Sequence, residues 1–152
     1  MNILVDTNVL LYAVNRDCEE HARARGFLEA LMKGNAPFCV TWSVCYEFLR
    51  VSTHPRVFPR PLSAAEALSF LASLIELPQV HVLIPTERHF KVLQEVLAGL
   101  PRVAGNFFYD VVNAVHAKEH GVNEIASADT DYHRFTFLTV TDPVHHRENP
   151  PS

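Results

Sequence analysis

No apolar run in this chain approaches the ~20 residues that a bilayer crossing requires; the longest, such as Val80 to Pro85, are far shorter. Nor does a basic segment precede an apolar core at the N-terminus, so no secretory signal is expected and the reading is a cytoplasmic protein without a membrane partner. Cysteine is scarce. Cys18, Cys39 and Cys45 cannot all pair and show no CxxC spacing, which argues against a disulfide framework or a zinc knuckle and leaves small buried residues or free thiols. Positive charge is short as well: 13 Lys and Arg against 17 Asp and Glu give a net charge of −4. That balance excludes a protein that coats nucleic acid non-specifically, because such affinity comes from basic surface releasing counterions, and any nucleic-acid contact must be local. Repeats and low-complexity segments are missing too, apart from a short polar tail over 144–152.

What is present is a globular composition. With 152 residues, 48% of them apolar and 20% charged, the chain fits one folded domain, here bounded at 1–143 ahead of the tail. Ile3-Leu4-Val5 reads as a buried strand that stops at Asp6, and the chain turns helical around Val9 to Val14. Helical spacing of Ala24, Phe27, Leu28 and Leu31 follows over Glu19 to Lys33, with Gly34 as the residue beyond the helix end. Phe38 to Thr41 is a second strand. Ser43 is placed as the cap of a helix carrying Glu47 and ending before His54-Pro55. After a proline-rich loop, Ser63-Ala64-Ala65-Glu66 has the form of a capping box opening a helix through Leu77. Val80 to Ile84 is a third strand, Thr86 opens a helix to about Ala98, and Phe107 to His120 forms another that stops at Gly121. Short strands at Glu124 to Ser127 and Phe137 to Thr141 close the pattern. Strands alternating with helices imply an α/β fold, a central, mainly parallel sheet flanked by helices.

In such sheets ligands bind beyond the carboxyl ends of the strands. Two acids stand there: Asp6 follows the first strand and Asp129 follows Ile125-Ala126-Ser127. Asp110, in the first turn of its helix, and Glu47 join them if the topology brings those ends together. Converging carboxylates repel and need a cation to stay ionised together; oxygen-only donors select Mg²⁺ or Mn²⁺, which suits hydrolysis of phosphodiesters. Singly, each acid also has an ordinary reading. Asp6 is a good helix cap, Glu47 a helix-surface acid, Asp110 a partner of the helix dipole, and Asp129 and Asp131 are common turn residues.

Four segments in order change that balance. Leu4-Val5-Asp6-Thr7-Asn8-Val9-Leu10, Glu47-Phe48-Leu49-Arg50, the run DVVNAVHAKEHG from Asp110 to Gly121, and Ser127-Ala128-Asp129-Thr130-Asp131-Tyr132 resemble the acidic blocks of PIN domains. With PRVFPRPLS at 55–63 and Asp142-Pro143 near the end, the chain is similar over 1–143 to the VapC-type toxins of bacterial toxin–antitoxin pairs. The resemblance implies a PIN-like fold, a Mg²⁺- or Mn²⁺-dependent endoribonuclease acting on RNA, a homodimer, and neutralisation by a cognate VapB-like antitoxin. It places the catalytic and metal-holding acids at Asp6, Glu47, Asp110 and Asp129, with Asp131 as a further candidate and support from Thr7, Asn8 and Ser127. Three departures are visible, each sparing the carboxylates: Val111 where the family commonly has alanine, Ser127 where threonine is frequent, and Tyr132 where phenylalanine is usual.

Other features admit functional and ordinary readings side by side. Between Glu47 and Glu66 there is no acid, whereas Arg50, Arg56 and Arg60 supply positive charge that could meet RNA phosphates or simply solvate the loop. Phe107, Phe108 and Tyr109 suit base stacking or core and dimer contacts. His116 and His120 have a zinc-compatible helical spacing but no obvious third ligand, and read as ordinary helix residues. His145-His146 lies in the polar tail and is not expected to be catalytic. A phosphatase of the haloacid dehalogenase kind also begins with a strand and an aspartate, yet needs a second aspartate where Asn8 stands. A non-catalytic PIN-like module, whose acids dock basic peptides, is the remaining alternative.

Overall fold

The computed structural model describes residues 2–145. Five strands, β1 (Ile3–Val5), β2 (Phe38–Thr41), β3 (Val80–Leu83), β4 (Glu124–Ala126) and β5 (Thr139–Thr141), form one sheet in the order β3-β2-β1-β4-β5. Every pairing is parallel, with Leu4 opposite Cys39 on one side and Ile125 on the other. Parallel neighbours require crossovers, and six helices supply them: α1 (Thr7–Val14), α2 (His21–Lys33), α3 (Trp42–Ser52), α4 (Ala64–Ile75), α5 (His89–Ala98) and α6 (Phe107–Glu119). A short 3₁₀ turn, Thr130–Arg134, joins β4 to β5.

The alternation of side chains along the central strands sorts the core into two layers. Ile3, Val5, Phe38 and Val40 face α1 to α4, where Val9, Leu10, Leu28, Phe48 and Leu71 pack. Leu4, Cys39 and Ile125 face the opposite way, onto Val92 and Val96 of α5 and Val111, Ala114 and Val115 of α6. A strand buried on both faces needs an unbroken apolar sequence, which is why β1 and β2 read so clearly from composition. Burial in these apolar layers pushes the Cys39 thiol up to about 12 and the Cys45 thiol up to about 11. All three cysteines are free, as expected.

Local signals set the helix ends. Asp6 caps α1 by accepting from Thr7 N at 2.8 Å, and Ser63 with Glu66 forms the capping box of α4. Thr41, not Ser43, caps α3: its Oγ1 accepts from Val44 N at 3.1 Å. Beyond α6, Gly121 takes φ +70°, a left-handed conformation that glycine adopts without steric cost. The helix expected from Thr86 begins at His89, since Thr86 Oγ1 instead accepts from Arg88 N in a turn.

The body of the protein continues past the boundary expected at Pro143. Val144 is buried against the α1–α4 layer, its carbonyl accepts from Arg23 Nη1 at 3.2 Å, and its N–H is held by Asp142 Oδ1 at 3.0 Å. An apolar side chain with a vacant place in the core overrides the polar character of its neighbours. His145 is exposed and its Nδ1 lies 3.0 Å from Asp142 Oδ2. The rest of the expected tail, His146 included, lies outside the described residues.

Candidate active site

Strand order reverses between β1 and β4, and at such a switch point the crossover helices diverge and leave a crevice above the carboxyl ends. Asp6 leaves β1 at that place. Its N–H continues the ladder to Ala126 O at 3.0 Å, so the carboxylate is fixed directly beside the end of β4. The side chain is buried, at 6% exposure. Its Oδ2 accepts from Ser127 Oγ at 2.7 Å and from Asn8 Nδ2 at 3.0 Å, while Oδ1 accepts from Thr7 N. Asn8 closes the frame: Nδ2 reaches Ser127 Oγ at 3.1 Å and Oδ1 accepts from Ala128 N at 3.1 Å. Asn8 is therefore a latch across the switch point, and the phosphatase reading, which needs an acid there, has no support.

The remaining acids gather over this base. Asp129 is placed by its N–H donating to Ser127 Oγ at 3.0 Å, and its Oδ1 in turn accepts from Asp131 N at 2.9 Å. Asp110, in the first turn of α6, has a carboxyl oxygen within 4.8 Å of oxygens of both Asp129 and Asp131. Glu47, from α3, is steadied by Thr7 Oγ1, which donates to Oε2 at 3.3 Å. A cavity of about 690 Å³ opens between α3 and α6, lined by Glu47, Asp110, Asp129, Asp131, Arg50 and Tyr109 among others. Asp6 lies beneath it rather than on its wall.

Burial and like charge act together here. Asp6 is pushed up to about 6, by desolvation first and then by Glu47 and Asp129, against the pull of its Ser127 and Thr7 hydrogen bonds. Asp110 rises to about 7, again from burial first, then from Asp129 and Asp6. Two carboxyls that ionise only well above the usual carboxylate range, facing three more acids, make a site that gains from a bound cation.

Asn113, which sequence reasoning did not single out, and Tyr132, noted there only as a departure from the family pattern, hold this arrangement from below. Buried Asn113 accepts from Thr41 Oγ1 at 2.7 Å and donates Nδ2 to the Tyr132 hydroxyl at 3.0 Å. That hydroxyl interacts with Asp110 and approaches Asp6 Oδ1 at 3.5 Å, and burial among these acids raises the phenol well above its usual value. Asn113 stands three residues after Asp110, so helical spacing alone put both on one face of α6 and was the available signal.

Of the three arginines considered, Arg50 lines the acidic cavity. Arg60 does not: its Nη2 pairs with Asp17 Oδ1 at 2.8 Å on the wall of a second cavity. Arg56 is exposed in the loop. The three arginines considered as RNA-phosphate contacts therefore do not share one place, because the loop turns Arg60 toward the end of α1. Phe107 stacks on Phe135 at 5.4 Å with the Arg134 guanidinium 4.0 Å over its ring, whereas Phe108 and Tyr109 are exposed. His120 Nε2 meets Ile84 O at 2.6 Å, so it does not pair with His116, whose neighbours are Glu119 and His89.

A parallel sheet flanked by helices on both faces is the PIN-like fold expected from the resemblance. The family model described as PIN domain matches residues 3–138, and the chain belongs to that family. Ribonuclease VapC33 of Mycobacterium tuberculosis is 33% identical over 142 residues, covering 93% of this chain and 98% of the relative. Ribonuclease VapC37 of the same organism is 34% identical over 140 residues, covering 92% and 96%. Among solved structures, VapBC2 from Rickettsia felis bound to a DNA fragment from their promoter superposes with a TM-score of 0.67 at 19% identity, covering 93% of this chain and 98% of the other. The Mycobacterium tuberculosis VapC20, a Sarcin-Ricin loop cleaving toxin, gives 0.61 at 14% identity, covering 86% and 92%.

Proposed function

We propose that this chain is an endoribonuclease, the toxin of a VapBC-type toxin–antitoxin pair, that hydrolyses RNA phosphodiester bonds in the cytoplasm and is neutralised by a VapB-like antitoxin. The observation that carries the reading is the convergence of Asp6, Glu47, Asp110, Asp129 and Asp131 at one strand edge, with Asp6 and Asp110 held near neutrality. Full-length similarity to proteins named ribonucleases supports it.

The donor set fits a hard divalent cation, Mg²⁺ or Mn²⁺: all oxygen, with Asp110, Asp129 and Asp131 close enough to share one ion and Asp6 and Glu47 within electrostatic reach. When bound, the cation supplies activation of a water and neutralisation of charge on the phosphate. The chain's own residues do the rest. Ser127 and Thr7 limit the rise of the Asp6 carboxyl, Ser127 and Asn8 aim it, and Asn113 and Tyr132 hold the base of α6 under Asp110. Arg50 at the cavity mouth meets a backbone phosphate, and the exposed Tyr46 and Tyr109 rings offer faces to unpaired bases. Water attacks phosphorus in line, the P–O3′ bond breaks, and the products are a 5′-phosphate and a 3′-hydroxyl. The chain acts as a homodimer.

Incubation of the purified protein with cellular RNA in Mg²⁺, Mn²⁺ or chelator, followed by mapping of the ends, tests this. Cation-dependent cuts that vanish in Asp6→Asn and Asp110→Asn are expected. RNA left intact under every condition would make the chain a non-catalytic binding module.

A further inference from the structure

At the opposite end of α6 from the acidic cavity a second group of ligand-bearing side chains converges. Asp110 and Glu119 are separated by nine residues of one helix, about 13–14 Å of axial rise, so the two sites share no residue. Glu119 Oε1 lies 2.9 Å from His116 Nδ1 and 3.0 Å from His89 Nδ1 of α5. Its other oxygen accepts from Thr86 Oγ1 at 3.0 Å and Thr86 N at 3.3 Å. We propose that His89, His116 and Glu119 form a binding site for a first-row transition metal ion of the zinc class, clasping α5 and its leading turn to the C-terminal end of α6.

Two observations carry it. The donor set is two imidazole nitrogens and one carboxylate oxygen, all within 4.8 Å of one another, the three-ligand complement that zinc takes with a water in the fourth position. Tetrahedral zinc, with bonds of about 2.0–2.2 Å, spaces neighbouring donors by about 3.3–3.5 Å, so each ring has to withdraw from Oε1 by about half an ångström. The second oxygen is already oriented by Thr86, the kind of outer hydrogen bond that fixes a ligating carboxylate.

Charge points the same way. The Glu119 side chain has no exposed surface and sits at the negative end of the α6 dipole, an unfavourable place for an anion. An ionised carboxylate accepts only, so in the metal-free protein each ring carries its proton on Nδ1. Binding moves that proton to Nε2 of the same ring and frees Nδ1 for the ion. His89, with 31% of its side chain exposed, leaves a route in from solvent. Neither the His116/His120 spacing nor composition revealed this site, because its third ligand comes from another helix.

Titration of the full chain with ZnCl₂ against a chromophoric chelator, with Mg²⁺ in large excess to occupy the acidic cavity, tests the proposal. The wild type and Asp110→Asn are expected to take up one tight equivalent that His89→Ala weakens at least ~10-fold. Glu119→Gln, nearly isosteric and able to keep the Thr86 contacts, gives the same loss, and circular dichroism checks that both variants are folded. Co²⁺ in place of Zn²⁺ should produce a visible absorption band in the wild type that is absent from His89→Ala. Equal affinity in the wild type and His89→Ala, or loss of the equivalent in Asp110→Asn, overturns it.

Discussion

Ser127 Oγ donates to Asp6 Oδ2 at 2.7 Å, joining the ends of two adjacent parallel strands that are 121 residues apart in the chain. The same oxygen accepts from Asp129 N, so one hydroxyl fixes two of the site's acids at once. Serine can do this where threonine is usual in the family because only the Oγ, not the extra methyl, enters the contact.

Stability in chelator should fall as pH rises. Asp6 and Asp110 have folded values of about 6 and about 7 against an ordinary 3.8, so the folded state binds more protons between those limits. Their contribution is therefore fully present below about pH 4 and is lost as pH climbs through 6 to 7. Two units at buried Asp6 correspond to about 3 kcal/mol; Asp110 adds less than its shift suggests, being partly exposed and coupled to Asp6. A Tm that drops by several degrees between pH 5 and pH 8 in chelator, and recovers with Mg²⁺ or Mn²⁺, is the expected result.

Asp110→Asn removes one repelling charge. The metal-free variant should melt about 2–4 °C higher than the wild type at pH 8, for roughly 1 kcal/mol of relieved repulsion in a domain of this size, while RNA cleavage is lost. A lower Tm for this variant and for Asp6→Asn alike would contradict a crowded acidic site.

Ser127→Ala withdraws a hydrogen bond that favours ionised Asp6. The Asp6 carboxyl should then titrate above 6 in metal-free protein, read by NMR, with about 1.5–3 kcal/mol lost at pH 8 where the carboxylate is charged. Cation affinity should weaken in parallel, measured by calorimetric titration.

Asn113→Ala leaves the Thr41 O–H without its acceptor and strips the Tyr132 oxygen of its donor. A loss of about 2–3 kcal/mol, or roughly 5–10 °C in Tm, is expected. Tyr132→Phe in the same background should add little further loss, since the two side chains act through one network.

Arg50→Ala should weaken RNA binding to a catalytically inactive Asp110→Asn protein and reduce the salt dependence of binding by about one ion. Arg60→Ala should leave both unchanged, because its guanidinium is engaged with Asp17 away from the acidic cavity. Equal effects from the two substitutions would show that Arg60 also contacts RNA and contradict this division.

Much of the fold was legible in local pattern. β1 and β2 are strands because residues buried on both faces must be apolar throughout, and Ser63 with Glu66 announced α4 through the capping box. Legibility failed where a polar side chain had a choice of partners. Ser43 and Thr41 are both competent caps, and Thr41 won because its hydroxyl also reaches Asn113. Thr86 looked like a helix cap and instead sits under Glu119. Val144 looked like the start of a polar tail and fills the core.

The site divides along the same line. That each acid would stand just past a strand end or in a helix's first turn was set by neighbouring residues, since caps, turns and strand ends are decided within a few positions of the chain. Which acids meet was decided by the sheet order that seats β4 beside β1, bringing Ser127 onto Asp6 and Asp110 over Asp129 from distances no local pattern encodes. The repulsion among those carboxylates opposes that meeting, and only the burial of both faces of the sheet is large enough to impose it.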